Sequence, residues 1–171
     1  MVEFWKPYYS SNKSNRNKDD RGFFERLFDF DELGFVPKQV NISVTDFKGT
    51  VRGMHLLKKP YAETKFVKVI KGKIFDCLVN LDIASRGFGT VISVELGESD
   101  MIKIPPYHAH GFQALVNDVV IAYAVDQSYQ QSADAGISPF SREVLQLWPL
   151  SVSKVSNRDL FLPAEIPSKG F

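Results

Sequence analysis

The sequence predicts an all-β fold, two antiparallel sheets packed face to face as a jelly-roll sandwich with a few short helices. Short runs with strand-like alternation or unbroken apolar character recur along most of the chain. Each run is closed by glycine, proline or charged turn residues, and helix-period patterns are nearly absent. With 171 residues, 44% of them hydrophobic, the chain can bury one full-sized core, which predicts a single domain over 1–171. The formal charge of +1, with both signs spread along the chain, argues against a nucleic-acid partner. Cys77 is the only cysteine, so an intramolecular disulfide and a multi-cysteine zinc site are excluded, and a lone thiol suits a reducing compartment. No stretch has the length and apolarity of a membrane span or a secretion signal, so the expected location is the cytoplasm.

In chain order, Ser10 to Asp20 has no large apolar residue and reads as a mobile loop. Asp20-Arg21-Gly22-Phe23-Phe24 then suits either a ligand edge or a loop-to-strand junction, and composition favours the junction. Asp29 can cap a helix start, Glu32 completes a capping box and Gly34 stops it, which predicts a one-turn helix. Gln39 to Val44 alternates, and its polar face of Gln39, Asn41 and Ser43 points into a cavity or out to water, with water the simpler reading. Phe66 to Lys71, Gly72, and Lys73 to Leu81 read as a hairpin across a lysine-glycine-lysine turn. Asp76 falls on a face where an inward carboxylate needs a partner. Thr90 to Leu96 and Met101 to Ile104 are further strands, and Val119 to Val125, apolar on both faces, is a central one. The proline-punctuated 150–171 segment is expected to wrap the sandwich.

The chemistry centres on Thr50-Val51-Arg52-Gly53-Met54-His55 and on Lys65, ten residues beyond the histidine. An imidazole can accept a proton near neutral pH, and two cations beside it would bind an anion and stabilise negative charge developing during proton removal. Tyr123 could serve as an acid from across a cavity, or be a core aromatic with a satisfied hydroxyl. The three histidines offer a competing metal site from His108, His110 and His55, but no histidine or glutamate lies two positions from His55 to complete it.

Five elements, in order, resemble the dTDP-4-dehydrorhamnose 3,5-epimerase family: Asp20 to Phe24, Gly49 to His55, Glu63 to Val67, Ile104-Pro105 through His110-Gly111-Phe112, and Trp148-Pro149. The resemblance runs from about Asp20 to Asp159. It implies a cupin-type jelly roll, a homodimer, no metal or organic cofactor, and a nucleotide-diphospho-4-keto-6-deoxy sugar as substrate. His55 then corresponds to the base beside the C4 ketone, Asp159 to the carboxylate that orients it, Tyr123 to the acid on the other face, and Lys65 to a neighbour of the keto oxygen. Arg52, His110, Gln39, Asn41, Asp76 and Asp134 correspond to the substrate-binding set, with Asp76 a buried acid near His55 and Lys65. Arg21 corresponds to a phosphate contact reaching the partner subunit's site.

The chain departs from the family pattern at the ends of the pocket. Arg26 stands where the thymidine-nucleotide enzymes have a base-contacting glutamate, with Glu25 one place earlier. Pro139-Phe140-Ser141 replaces a tryptophan-asparagine-aspartate element, and Asp134 replaces a glutamate. The rival readings are a cupin-fold 3,4-ketoisomerase and a non-catalytic sugar-binding cupin.

Overall fold

The computed structural model describes residues 8–11, 16–169 and 171. Its strands are β1 (Tyr8–Ser11), β2 (Arg16–Asp19), β3 (Gly22–Glu25), β4 (Gln39–Thr45), β5 (Val51–Leu57), β6 (Lys65–Lys71), β7 (Lys73–Asn80), β8 (Val91–Gly97), β9 (Asp100–Ile104), β10 (His108–Ala114), β11 (Val119–Val125) and β12 (Asp134–Gly136). Among the described residues, helix is limited to one α-turn, α1 (Asn157–Leu160), and short 3-10 turns such as Gln131–Ala133 and Leu145–Leu147. One sheet has the order β1-β9-β6-β11-β4 and the other β12-β5-β10-β7-β8, while β2 and β3 form a separate hairpin. No helix among the described residues is long and apolar enough to cross a membrane.

The expected hairpin about Gly72 does not form, because β6 and β7 lie in different sheets. A single residue is too short for the two-residue loop that a tight hairpin uses. Gly72, at φ +90°, instead turns the chain from one sheet to the other, and a Cβ there would press on Val116 and Val119. Both strands are buried on both faces, so each needs cover on two sides, and the crossover supplies it. The chain then crosses between the sheets at each step from β8 to β9, β9 to β10 and β10 to β11.

Three apolar clusters follow from that topology. Val67, Val69, Leu78, Ile102, Phe112 and Ile121 pack between the sheets. Phe66 and Ala124 face the other way and are covered by Phe28, Phe30, Leu33 and Phe35. Cys77, Val79, Leu81 and Trp148 lie beyond the second sheet, where Val152, Val155, Ile166 and Phe171 pack on them. β11, between β6 and β4, has the interior place expected of a strand apolar on both faces.

The one-turn helix at Asp29 is a hydrogen-bonded turn. The Asp29 carboxylate does cap the Glu32 N–H at 3.2 Å, but the chain closes with Phe35 N–H donating to the Phe30 carbonyl at 3.0 Å. Docking Phe30, Leu33 and Phe35 on Phe66 decides the geometry over local helix preference. The Ser10 to Asp20 loop is corrected as well: Ser10 and Ser11 belong to β1 and Arg16–Asp19 is β2, whereas 12–15 lie outside the described residues. Ion pairs replace apolar burial here. Arg16 meets Glu25 and Glu98, each at 2.8 Å, and Lys68 meets Glu25 at 2.9 Å. Burial pushes the Glu25 carboxyl up, but hydrogen bonds from Arg16, Lys68 and Ser99 outweigh it and leave it below the usual range.

β4 decides its two-way reading in favour of the cavity. Gln39, Asn41 and Ser43 turn inward and line it, whereas Val40, Ile42 and Val44 are 54%, 69% and 51% exposed on the outer side. The simpler reading, that the polar face meets water, is thereby overturned.

Candidate active site

Arg52 and His55 are three residues apart, so strict alternation would send them to opposite faces of β5. Both nevertheless line one cavity. The pairing with β10 explains it: His110 lies opposite His55 and Phe112 opposite Arg52, so three steps on β5 match two on β10. This extra residue is a bulge, and it falls at Gly53, whose φ of +123° glycine adopts freely. Gly111 faces it, and a Cβ there would lie 2.6 Å from Met54 Sδ and 2.7 Å from the Arg52 carbonyl oxygen. Behind the same segment, a Cβ on Gly136 would collide with the Met54 carbonyl oxygen. Gly136→Ala is therefore expected to cost about 3 kcal/mol or more, read as a lower denaturant midpoint with an unchanged slope.

The cavity between the sheets has a lobe of about 500 Å³ and a second of about 260 Å³, and His55, Lys65, Tyr123 and Arg158 line both. His55 Nε2 lies 2.6 Å from Asp159 Oδ1. The carboxylate is almost fully buried and also accepts the Gly53 N–H at 3.2 Å, while Ser156 caps the turn that presents it, accepting the Asp159 N–H at 3.1 Å. With Asp159 ionised, Nε2 carries the proton and donates it, which leaves the Nδ1 lone pair as the basic site. Burial pushes the Asp159 carboxyl up, but the His55 hydrogen bond and charge, the Gly53 amide and the Ser156 hydroxyl prevail and hold it below the usual carboxylate range.

That lowered value has a sign that can be checked. Stability from Asp159 is present in full above the ordinary aspartate pKa of about 3.9 and is lost as pH falls through the lower folded-state value. Asp159→Asn is expected to lower stability at pH 7, and the gap from wild type should close in strong acid, measured by urea titration at both pH values.

A second imidazole–carboxylate pair lies beside the first. His110 Nε2 is 2.8 Å from Asp76 Oδ2. Asp76 is fully buried behind His110, as the resemblance implies for a buried acid, and lines neither lobe, so its link to the cavity runs through the imidazole. His110 itself lines the larger lobe. His108, on the same strand, lines neither lobe; its Nδ1 is 3.0 Å from the Pro106 carbonyl, and burial lowers its pKa. Among the described residues, no group of three His, Cys, Asp or Glu side chains is placed to hold a metal ion.

The opposite wall comes from the other sheet. Tyr123, on β11, and Lys65, paired with Val125 two residues on, face the lumen, with the ammonium 5.7 Å from the ring centroid. Gln39 and Asn41 line the smaller lobe with Asp134, which bonds Arg158 at 2.5 Å and the Tyr129 hydroxyl at 3.2 Å. Arg52 donates to Thr45 Oγ1 at 2.9 Å and to the Val44 carbonyl at 2.8 Å, both neutral, so its charge is not cancelled by a carboxylate there. Arg21 is not in this chain's cavity. It projects from the β2–β3 turn, 86% exposed, and pairs with Asp19 at 2.6 Å.

Lys154 and Arg158 also line the cavity, and sequence reasoning missed both. Arg158 precedes Asp159 on α1, so that motif contained the signal. Lys154 is brought in by a parallel bridge to Thr50, which puts it on the face of Thr50 and Arg52, and no local pattern announces that pairing.

The dTDP-4-dehydrorhamnose 3,5-epimerase family model matches residues 10–164. A dTDP-4-dehydrorhamnose 3,5-epimerase from Sinorhizobium fredii is 32% identical over 161 residues, 87% of this chain and 82% of that protein. The crystal structure of the Bacillus anthracis enzyme of that name, with TDP and PPi bound, superposes with a TM-score of 0.79 at 31% identity, covering 92% of this chain and 90% of that one. A Legionella pneumophila dTDP-6-deoxy-D-glucose-3,5-epimerase, in complex with dTDP-4-keto-L-rhamnose, gives 0.76 at 29% identity, covering 86% and 82%. With the family model spanning most of its length and a curated relative above 30% identity, the chain belongs to the dTDP-4-dehydrorhamnose 3,5-epimerase family.

Proposed function

We propose that this protein inverts C3, C5 or both of a nucleotide-linked 4-keto-6-deoxy sugar through an enolate. The observation that carries this is the pairing of an oriented base, His55 on Asp159, with Tyr123 on the facing sheet and Lys65 beside it. His55 Nδ1 takes the proton from the carbon next to the C4 ketone, and the C–H electron pair moves onto the C4 oxygen. Lys65 stabilises that oxygen. Tyr123 then gives its hydroxyl proton to the opposite face of the same carbon, and the C4 carbonyl re-forms. A carbon acid beside a ketone is weaker than imidazolium by more than about ten pKa units, a gap of roughly 14 kcal/mol, which is why a cation at the oxygen is required. Only protons move, so the reaction calls for no redox or electrophilic cofactor.

The ligands of the two related structures, TDP with PPi and dTDP-4-keto-L-rhamnose, support a nucleotide-diphospho sugar here too. Arg52, Lys154 and Arg158 would meet its diphosphate, and His110, Gln39, Asn41 and Asp134 its sugar. The test is turnover of a panel of 4-keto-6-deoxy sugar nucleotides that differ in base, with products identified by NMR. A C3 or C5 epimer is expected, and a 3-keto product or no turnover of any member overturns the reading.

We also infer a homodimer. The outward stripe of Val40, Ile42 and Val44 on β4 is an apolar strand face whose burial by a second copy would be favourable. Arg21 would then reach across to the other subunit's cavity. Ile42→Glu is expected to shift sedimentation toward monomer, and an unchanged dimer would remove this face from the interface.

A further inference from the structure

Glu63 lies two residues ahead of Lys65, and its Oε1 is 3.0 Å from the Lys65 ammonium, with both side chains only 14% exposed. A carboxylate here is unexpected on Coulomb grounds, because it partly cancels the cation that is to stabilise the enolate. Its place is not accidental slack in a loop. The backbone beside it is held to the end of β11: Thr64 N–H donates to Asp126 Oδ1 at 2.8 Å, and Asp126 N–H donates to the Thr64 carbonyl at 3.3 Å. Glu63 also lines the smaller lobe together with His55, Lys65 and Tyr123.

An ammonium has three N–H donors. Glu63 takes one, and the Tyr123 ring attracts the group from 5.7 Å, so the side chain is restrained from two directions with donor capacity left for a ligand. We propose that Glu63 is a positioning residue that keeps the Lys65 ammonium aimed at the carbonyl oxygen of the bound sugar, a role that rests on the epimerase reading above. When His55 takes the carbon proton, the electron pair moves to the C4 oxygen. Transfer of a Lys65 proton to that oxygen would leave a neutral enol, a neutral amine and an isolated Glu63 carboxylate in a largely buried site. The carboxylate opposes that transfer. The enolate stays anionic and hydrogen-bonded, its carbon takes the proton from Tyr123, and the carbonyl remains at C4.

The experiment is steady-state kinetics of wild type, Glu63→Gln, Lys65→Met and the double variant on the sugar nucleotide that wild type turns over. Glu63→Gln is expected to lower kcat about ten- to a hundredfold with KM within about twofold, because an interaction made mainly in the transition state is weakened. In the Lys65→Met background the same change should have no further effect, since Glu63 acts only through the lysine. Wild-type kcat in Glu63→Gln, or an equal further loss in the Lys65→Met background, overturns the proposal. Should Glu63→Gln fail to fold, Glu63→Asp withdraws the charge by one methylene and is expected to lower kcat at constant KM, with unchanged kcat overturning the proposal. A wild-type protein that turns over no 4-keto sugar nucleotide instead overturns the epimerase reading, and this role with it.

Discussion

His55→Ala is expected to lower kcat for epimerisation by about 10³- to 10⁴-fold while leaving KM within a fewfold of wild type. The size follows from the role. The other two histidines are placed differently: His110 lies across the β5–β10 pairing on the same wall, where it is paired with Asp76, and His108 lines neither lobe. The small effect on KM follows from the proposed division of the cavity, in which Arg52, Lys154 and Arg158, which line the larger lobe, would hold the anionic end independently of the imidazole. Stability should fall as well, since the buried Asp159 carboxylate loses its imidazole partner and keeps only the Gly53 amide and the Ser156 hydroxyl, whereas the strand itself stays fixed by pairing with β10 and β12. A variant that retained more than about a tenth of wild-type kcat would contradict His55 as the base. Stopped reactions analysed by NMR give both constants.

Tyr123→Phe separates the two halves of the reaction. Only the hydroxyl is lost, and the ring still packs against the cluster between the sheets, so the fold is expected to be retained. His55 can still remove the carbon proton, but the hydroxyl that returns one from the facing wall is gone, and Lys65 beside it is engaged at the C4 oxygen in the proposed mechanism. Inversion should fall by about 10²- to 10³-fold, while solvent deuterium still enters C3 or C5 of recovered substrate with unchanged configuration. Loss of exchange and inversion together would instead mean that Tyr123 is needed to take the proton off.

The sandwich was legible because its strands obey a simple rule: a strand covered on both faces reads apolar throughout, as Val119 to Val125 does. Which strands pair was not legible at Gly72, where sequence adjacency suggested a hairpin and burial on both faces demanded a crossover. The β2 strand was missed for a different reason. Its residues are all polar, and Arg16, Glu25 and Lys68 hold the hairpin by charge, a long-range match that no local window contains. At the site, Arg52, His55, Lys65 and Tyr123 come together as expected, yet period-two reasoning alone would have separated Arg52 from His55. The glycine at 53 carried the missing information, since a bulge there restores both to one face. Asp76 shows the converse limit: its strand announced an inward carboxylate in need of a partner, and only the fold names that partner, His110 on the neighbouring strand.

The central claim is that one wall removes the proton and the facing wall returns another. The most direct measurement is single-turnover epimerisation by wild type in deuterium oxide, with the label at the inverted carbon quantified by NMR. Two groups on opposite walls predict nearly complete deuterium at that carbon, because the substrate's own proton leaves on His55 and the new one comes from exchanged Tyr123. Substantial protium carried over into the inverted position would mean that a single group both takes and returns the proton, and would contradict the account.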